Sequence, residues 1–240
     1  ACVGNDSGIT KATASEYSFS TYPVSPTQDV SITTTTISPE LTTVVSLPTS
    51  TSYPTRDTSG IFWQEVPIMP EISVRVYLIY AEGQKQGRSP DHFSVIGDCQ
   101  SVPRYFMGTY YLGLLKPDPA ESYLWDAIGH FNTSFDHWSV TSRGGFTAAS
   151  ILNPIQADPT LCKPGETPLT CEYRLYNPAY FFITLEIWDN PATIERYEIY
   201  LRQLLDYVIE RGTIPILITK ADAAEVDDGH HVLNPAIVKV

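Results

Sequence analysis

Residues 178–222 constrain the fold more than any other stretch. "PAYFFITLEIWDN" opens with an apolar run, Tyr180 to Leu185, suited to a fully buried strand. "NPATIERYEIYLRQLLDYVIERG" follows, with Ile194, Tyr197, Leu201, Leu204, Leu205 and Val208 repeating at helical spacing, Pro191 at its start and Gly212 at its stop. "TIPILITKAD" is then a second apolar strand. A strand, a helix and a strand in direct succession imply parallel neighbours in one sheet.

The same alternation extends in both directions. "PEISVRVYLIYAEGQKQG" places Ile72, Val76 and Ile79 at helical spacing, although Ile72, Val74, Val76 and Leu78 also alternate as a strand would. "HFSVIGD" is a short strand, and "VPRYFMGTYYLGLL" predicts a helix soon after it. "PAESYLWDAIGHFNTSF" predicts another, with Leu124, Ile128 and Phe131 on one face. "HWSVTS" predicts a further short strand, and "VLNPAIVKV" begins a last helix. The expectation is an α/β domain over residues 61–240, a three-layer α/β/α sandwich around a mostly parallel sheet. Ligands of such sheets sit off the carboxyl ends of the strands. Four such ends carry polar or glycine-rich residues: Gly97-Asp98-Cys99, Arg143-Gly144-Gly145, Glu186 to Asn190, and Lys220-Ala221-Asp222. All four are expected on one rim.

Residues 1–60 differ in kind. "VSITTTTISPELTTVVSLPTSTSYPTRDTSG" is rich in Ser, Thr and Pro, lacks a sustained period, and is expected to be a disordered stalk. The net charge of −12 argues against nucleic acid and anionic membranes as partners. No stretch approaches the ~20 apolar residues of a membrane helix. The chain opens Ala1-Cys2, a small residue before a cysteine, as at the end of a bacterial lipoprotein cleavage site. Lipid on Cys2 would then be the sole membrane attachment, and the domain would be extracellular or held at a bacterial cell surface.

Four cysteines are present. Cys162 and Cys171 bracket "CKPGETPLTC", a loop that a local disulfide suits, which implies an oxidising compartment. No histidine or further cysteine stands near to make a zinc site, and no metal or cofactor is expected. With that pair closed, Cys99 is left as a lone thiol in the body of the domain.

The order of these blocks resembles the SGNH hydrolase superfamily, the GDSL-type esterases, over about residues 93–240. Val95-Ile96-Gly97-Asp98-Cys99 matches the first block, a strand followed by Gly-Asp-Ser, with cysteine in place of the nucleophilic serine. "SRGGFTAAS" matches the second, where a glycine N–H, here Gly144 or Gly145, helps form the oxyanion hole. The third block, ordinarily Gly-x-Asn-Asp, reads Glu186-Ile187-Trp188-Asp189-Asn190, without the glycine and with the asparagine displaced. The closing Asp-x-x-His block is expected after a fifth strand, beyond Val240, so the domain reads as truncated. A literal match, Asp228 to His231 with Asp227 and His230 beside it, falls one strand–helix unit too early.

The resemblance implies a flavodoxin-like fold and an esterase or acyltransferase acting on small-molecule or carbohydrate esters, acetyl groups on extracellular polysaccharide among them. Cys99 would attack the carbonyl, and Gly145 and Asn190 would stabilise the oxyanion. A thiolate is intrinsically reactive and is favoured at a helix N-terminus, whereas the Asp98 charge opposes it. The competing expectation is a catalytically degenerate surface module in which Cys99 is a small buried filler. "DNPATIE" also reads as a helix start, which gives Asp189 or Asn190 a capping role instead. Trp188 suits a pocket wall or the core, and Arg143 a carboxylate contact or plain surface. Lys220 and Asp222 are candidates for a mutual pair. His92, His130 and His137 lie without metal spacing and are expected to be structural.

Overall fold

The structure, a computed structural model, describes residues 63–185, 194–220 and 233–240, all within one compact unit. The Ser/Thr/Pro-rich segment 1–60 lies outside them, as does Cys2. Among the described residues three strands form the sheet: β1 Ser89–Gly97, β2 Pro178–Thr184 and β3 Ile214–Leu217. They lie in that spatial order and are all parallel, with Phe93 opposite Tyr180, Gly97 opposite Thr184, and Ile183 opposite Leu217. The helices are α1 Val74–Lys85, α2 Gly108–Tyr111, α3 Leu124–His130, α4 Ala148–Ile151, α5 Pro168–Leu175, α6 Ile194–Glu210 and α7 Leu233–Lys239.

Alternation along the strands supplies two apolar faces. Ile96, Phe181 and Ile183 pack against Ile151 of α4, Leu169 of α5, Leu201, Leu204 and Val208 of α6 and Ile237 of α7. Burial of each such leucine is worth roughly 2 kcal/mol, and α6 carries its apolar residues on one stripe, so it is fixed chiefly by this face. The other face, with Phe93, Val95, Tyr180 and Phe182, packs against Phe106, Ile128, Phe131 and Phe135. There the Phe93 ring meets Phe131, Phe135 and Phe182 edge-on at 5.6, 5.1 and 5.2 Å.

α1 is a helix, so the helical spacing prevails over the rival alternation. Its close approach to the turn before β3 depends on two glycines: a Cβ at Gly83 would collide with the backbone carbonyl of Gly212, itself at φ +67°. α5 begins with Thr167 and Thr170 in a reciprocal capping box and Pro168 in its first turn.

Two expected elements are not formed as such. The helix expected over "VPRYFMGTYYLGLL" shrinks to α2, because Met107 takes a left-handed conformation (φ 53°) and Gly113 another (φ 65°). The strand expected over "HWSVTS" is reduced to one parallel bridge, Ser142 to Gly97. Side chains take the N–H groups a ladder would use: Val140 N–H donates to Glu172 Oε2 at 3.0 Å and Thr141 N–H to Ser139 Oγ at 3.1 Å. No described helix is long and apolar enough to cross a membrane.

Candidate functional site

The site is built on the carboxyl ends of the strands, around the turn that ends β1. Gly97 is the last strand residue, and a side chain there would collide with Ser101. Its N–H donates to Thr141 O at 3.1 Å and its carbonyl accepts from Arg143 N–H at 3.2 Å, which lays segment 141–143 alongside β1. Asp98 then caps the short 3-10 turn Cys99–Ser101 by accepting from Gln100 N–H at 2.9 Å. A capping carboxylate at this place stops the strand and turns the chain across the rim.

The same carboxylate is paired. Lys220 Nζ donates to Asp98 Oδ2 at 3.1 Å, with side chains only 5% and 2% exposed. The amine also lies 3.3 Å from Thr184 Oγ1 and 3.4 Å from Thr184 O, at the end of β2. The Lys220 main chain is held in turn by Asn234 of α7. Asn234 Oδ1 accepts from its N–H and Nδ2 donates to its carbonyl, both at 2.8 Å. Lys220 therefore joins Asp98 rather than serving only as a partner for Asp222, which lies outside the described residues.

Gly144 faces this turn: a Cβ built on it would stand 3.5 Å from the Cβ of Cys99, whereas one on Gly145 would meet nothing within 4 Å. The oxyanion glycine expected from the sequence is Gly145, whose φ of +85° makes the turn that glycine favours, but Gly144 is the one the structure brings against Cys99. Arg143 is engaged locally. Its guanidinium lies 4.4 Å over the Phe146 ring and donates to Gln156 O and Oε1 at 3.3 Å.

Cys99 itself departs from the expected lone thiol. It is disulfide-bonded, and none of the described cysteines is free. Its sulfur therefore carries no proton to lose and no thiolate lone pair for attack as it stands. The second disulfide is the expected one: Cys162 and Cys171 are bonded across the loop, with Cα atoms 5.3 Å apart. The bond joins the loop to α5, where Glu166 also accepts from Arg174 Nε and Nη2 at 2.7 Å. Cys162, Glu166 and Cys171 come within metal-ligand distance of one another, but their sulfurs are bonded together.

Asn190, with Glu186 to Asp189, lies outside the described residues, and so do Asp227, Asp228, His230 and His231. Of the other histidines, His130 Nε2 lies 3.1 Å from Pro90 O. His92 and His137 stack on opposite sides of Tyr176, with centroids 4.2 and 3.5 Å away. His137 Nε2 also lies 2.6 Å from Glu172 Oε1, to which Ser94 Oγ donates at 2.6 Å. Sequence reasoning did not single out Glu172, Ser94, Thr184 or Asn234. Glu172 sits in "TCEYRLY", where nothing local distinguishes it from a solvated helix residue. Two hydroxyls by the turn, Ser101 Oγ and Ser142 Oγ, are buried with no hydrogen-bond partner.

No family model matches the chain, and no curated protein or solved structure matches it.

Proposed function

We propose that this domain is an SGNH-type ester hydrolase or acyltransferase with a thiol at the nucleophile position, its sheet the core of a flavodoxin-like three-layer sandwich. The observation that carries the reading is the position of Cys99. It follows a capping aspartate at the carboxyl end of a parallel strand, with Gly144 near enough that a methyl added there would touch the Cys99 side chain. Such strand–turn–helix corners expose a nucleophile, and an adjacent glycine backbone offers N–H groups to an oxyanion.

The disulfide at Cys99 makes the site latent. A dithiol reductant attacks the bond, leaving Cys99 as a thiol and the reductant as a disulfide. The Cys99 thiolate then adds to an acyl ester carbonyl. The tetrahedral oxyanion is held by backbone N–H groups at Gly144-Gly145 and by Asn190. Collapse expels the alcohol, which takes up a proton, and leaves a thioester that water hydrolyses or a second alcohol accepts. Asp228 with His231 supplies one candidate acid–base pair. The Cys162–Cys171 disulfide fits an oxidising compartment. We place the protein outside the cell or at its surface, with small-molecule or carbohydrate esters as substrates.

The specific observation favouring the second reading, a non-catalytic surface module, is the Cys99 disulfide itself. Turnover of p-nitrophenyl acetate by the full chain, before and after reduction with dithiothreitol, separates the two. The esterase gains activity on reduction, loses it in Cys99→Ala and keeps part in Cys99→Ser. Equal background rates in all three proteins support the module.

A further inference from the structure

The Asp98–Lys220 pair raises a question of charge. Asp98 directly precedes Cys99, and an unpaired carboxylate there would oppose a thiolate, since a neighbouring like charge disfavours ionisation. It is also 2% exposed, and a carboxylate that deep is costly unless paired. Both problems have the same answer in the structure. The Lys220 ammonium stands 3.1 Å from Asp98 Oδ2, while the other oxygen caps the turn through Gln100 N–H.

We propose that Lys220 is a positioning residue for Cys99. It neutralises the carboxylate of the residue that precedes Cys99 and, through Asp98, holds the turn that presents Cys99 to Gly144. The proposal rests on the thiol reading above. Lys220 suits the task because it is fixed at both ends. Asn234, itself fully buried, clamps its main chain from α7, and Asp98 with Thr184 receives its amine from the ends of β1 and β2. A lysine so restrained delivers its charge to one place rather than sweeping the rim. A lysine near a cysteine favours the thiolate directly as well.

The test reads Cys99 reactivity, not ester turnover. The full chain is reduced with dithiothreitol, desalted and treated with iodoacetamide at pH 7, and modification is timed on the Cys99 peptide by mass spectrometry. Lys220→Met is expected to slow alkylation at least tenfold, and Lys220→Arg to stay within threefold of the parent. Asp98→Asn is expected to be no slower than the parent, and Asp98→Asn with Lys220→Met to return within threefold of it. A residue that mattered only for packing would slow both single variants alike, with no recovery in the double variant; that result overturns the proposal, as does an unchanged rate in Lys220→Met. If Lys220→Met fails to fold by circular dichroism, the Asp98→Asn pair decides: a single variant slower than the parent overturns the proposal, and a double variant near parental rate supports it. Should the alkylation pattern hold while ester turnover is absent, the function reading fails and the Lys220 assignment stands.

Discussion

Glu172 on α5 accepts the backbone N–H of Val140 at 3.0 Å, and by this bond a helix fixes the segment that leads into Gly144. The carboxylate has no exposed surface and also receives Ser94 Oγ from β1 and lies against His137 Nε2. Three pieces of chain on one face of the sheet thus meet at two oxygens. Glu172→Ala leaves the buried Ser94 hydroxyl and the partly buried Val140 N–H and His137 ring without their acceptor, and is expected to destabilise by about 3 kcal/mol. Urea denaturation checks this, as a lower midpoint at an unchanged slope.

Alanine at two helical glycines should have opposite effects. At Gly83 in α1 the new methyl meets the Gly212 carbonyl, backbone that cannot rotate away, so a loss of about 2 kcal/mol or more is expected. At Gly129 in α3 nothing stands within 4 Å of the added carbon, and a gain of about 0.5–1 kcal/mol is expected from the lost freedom of the unfolded chain. Melting temperatures of the two variants test the pair of signs; a stable Gly83→Ala would contradict the close approach.

Glu166 governs part of the acid limb of stability. Its hydrogen bonds from the Arg174 guanidinium, and then from Lys163 N–H, lower its carboxyl from 4.5 to about 2. The folded carboxyl is the stronger acid, so the stabilisation is complete above pH 4.5 and is lost as the pH falls through 2. Glu166→Gln is expected to flatten the melting temperature between pH 4.5 and 2 and to leave its neutral-pH dependence unchanged. A variant as steep as the parent in that window would refute this.

Tyr173 acts at the other end of the scale. Burial pushes its phenol up to about 12, against smaller opposing effects from Thr213, Arg88 and Arg211. The Thr213 hydroxyl donates to Pro178 O at 3.1 Å, and the phenol oxygen has no geometric hydrogen-bond partner. The unfolded tyrosine ionises first, so the stabilisation is full below pH 10 and is lost as the pH rises towards 12. Tyr173→Phe is expected to stay within about 1 kcal/mol of the parent at pH 7 and to retain more stability above pH 10. Alkaline melting curves of both proteins decide it.

What the sequence discloses and what it hides divide along a physical line. β2, α6 and β3 are legible because burial imposes their periods: Phe181 and Ile183 on a strand, Leu201, Leu204 and Val208 on a helix. The Gly97-Asp98 corner is legible because a strand, a glycine and a capping residue are local chemistry, and Cys162–Cys171 because the loop between them is short. Lys220 and Asp98 are 122 residues apart, and no local pattern announces their meeting. Glu172 looks like any surface acid until Val140, His137 and Ser94 are folded around it. That Gly144 rather than Gly145 comes against Cys99 depends on how the turn folds, and the lone thiol expected at Cys99 rests on elimination, which its disulfide overturns.

The parallel sheet also implies an order of assembly. β2 reaches β3 across a short stretch of sequence that contains α6, whereas β1 reaches β2 only across α2 to α5 and the disulfide loop. Loop closure favours the nearer pair, so the unit β2–α6–β3 is expected to gain protection from hydrogen exchange first, with β1 docking later. Asp98 and Cys99 ride on the late strand, while Lys220 follows the early one. A chain caught between these steps would hold half a sheet, a bare lysine waiting at its edge and no site at all.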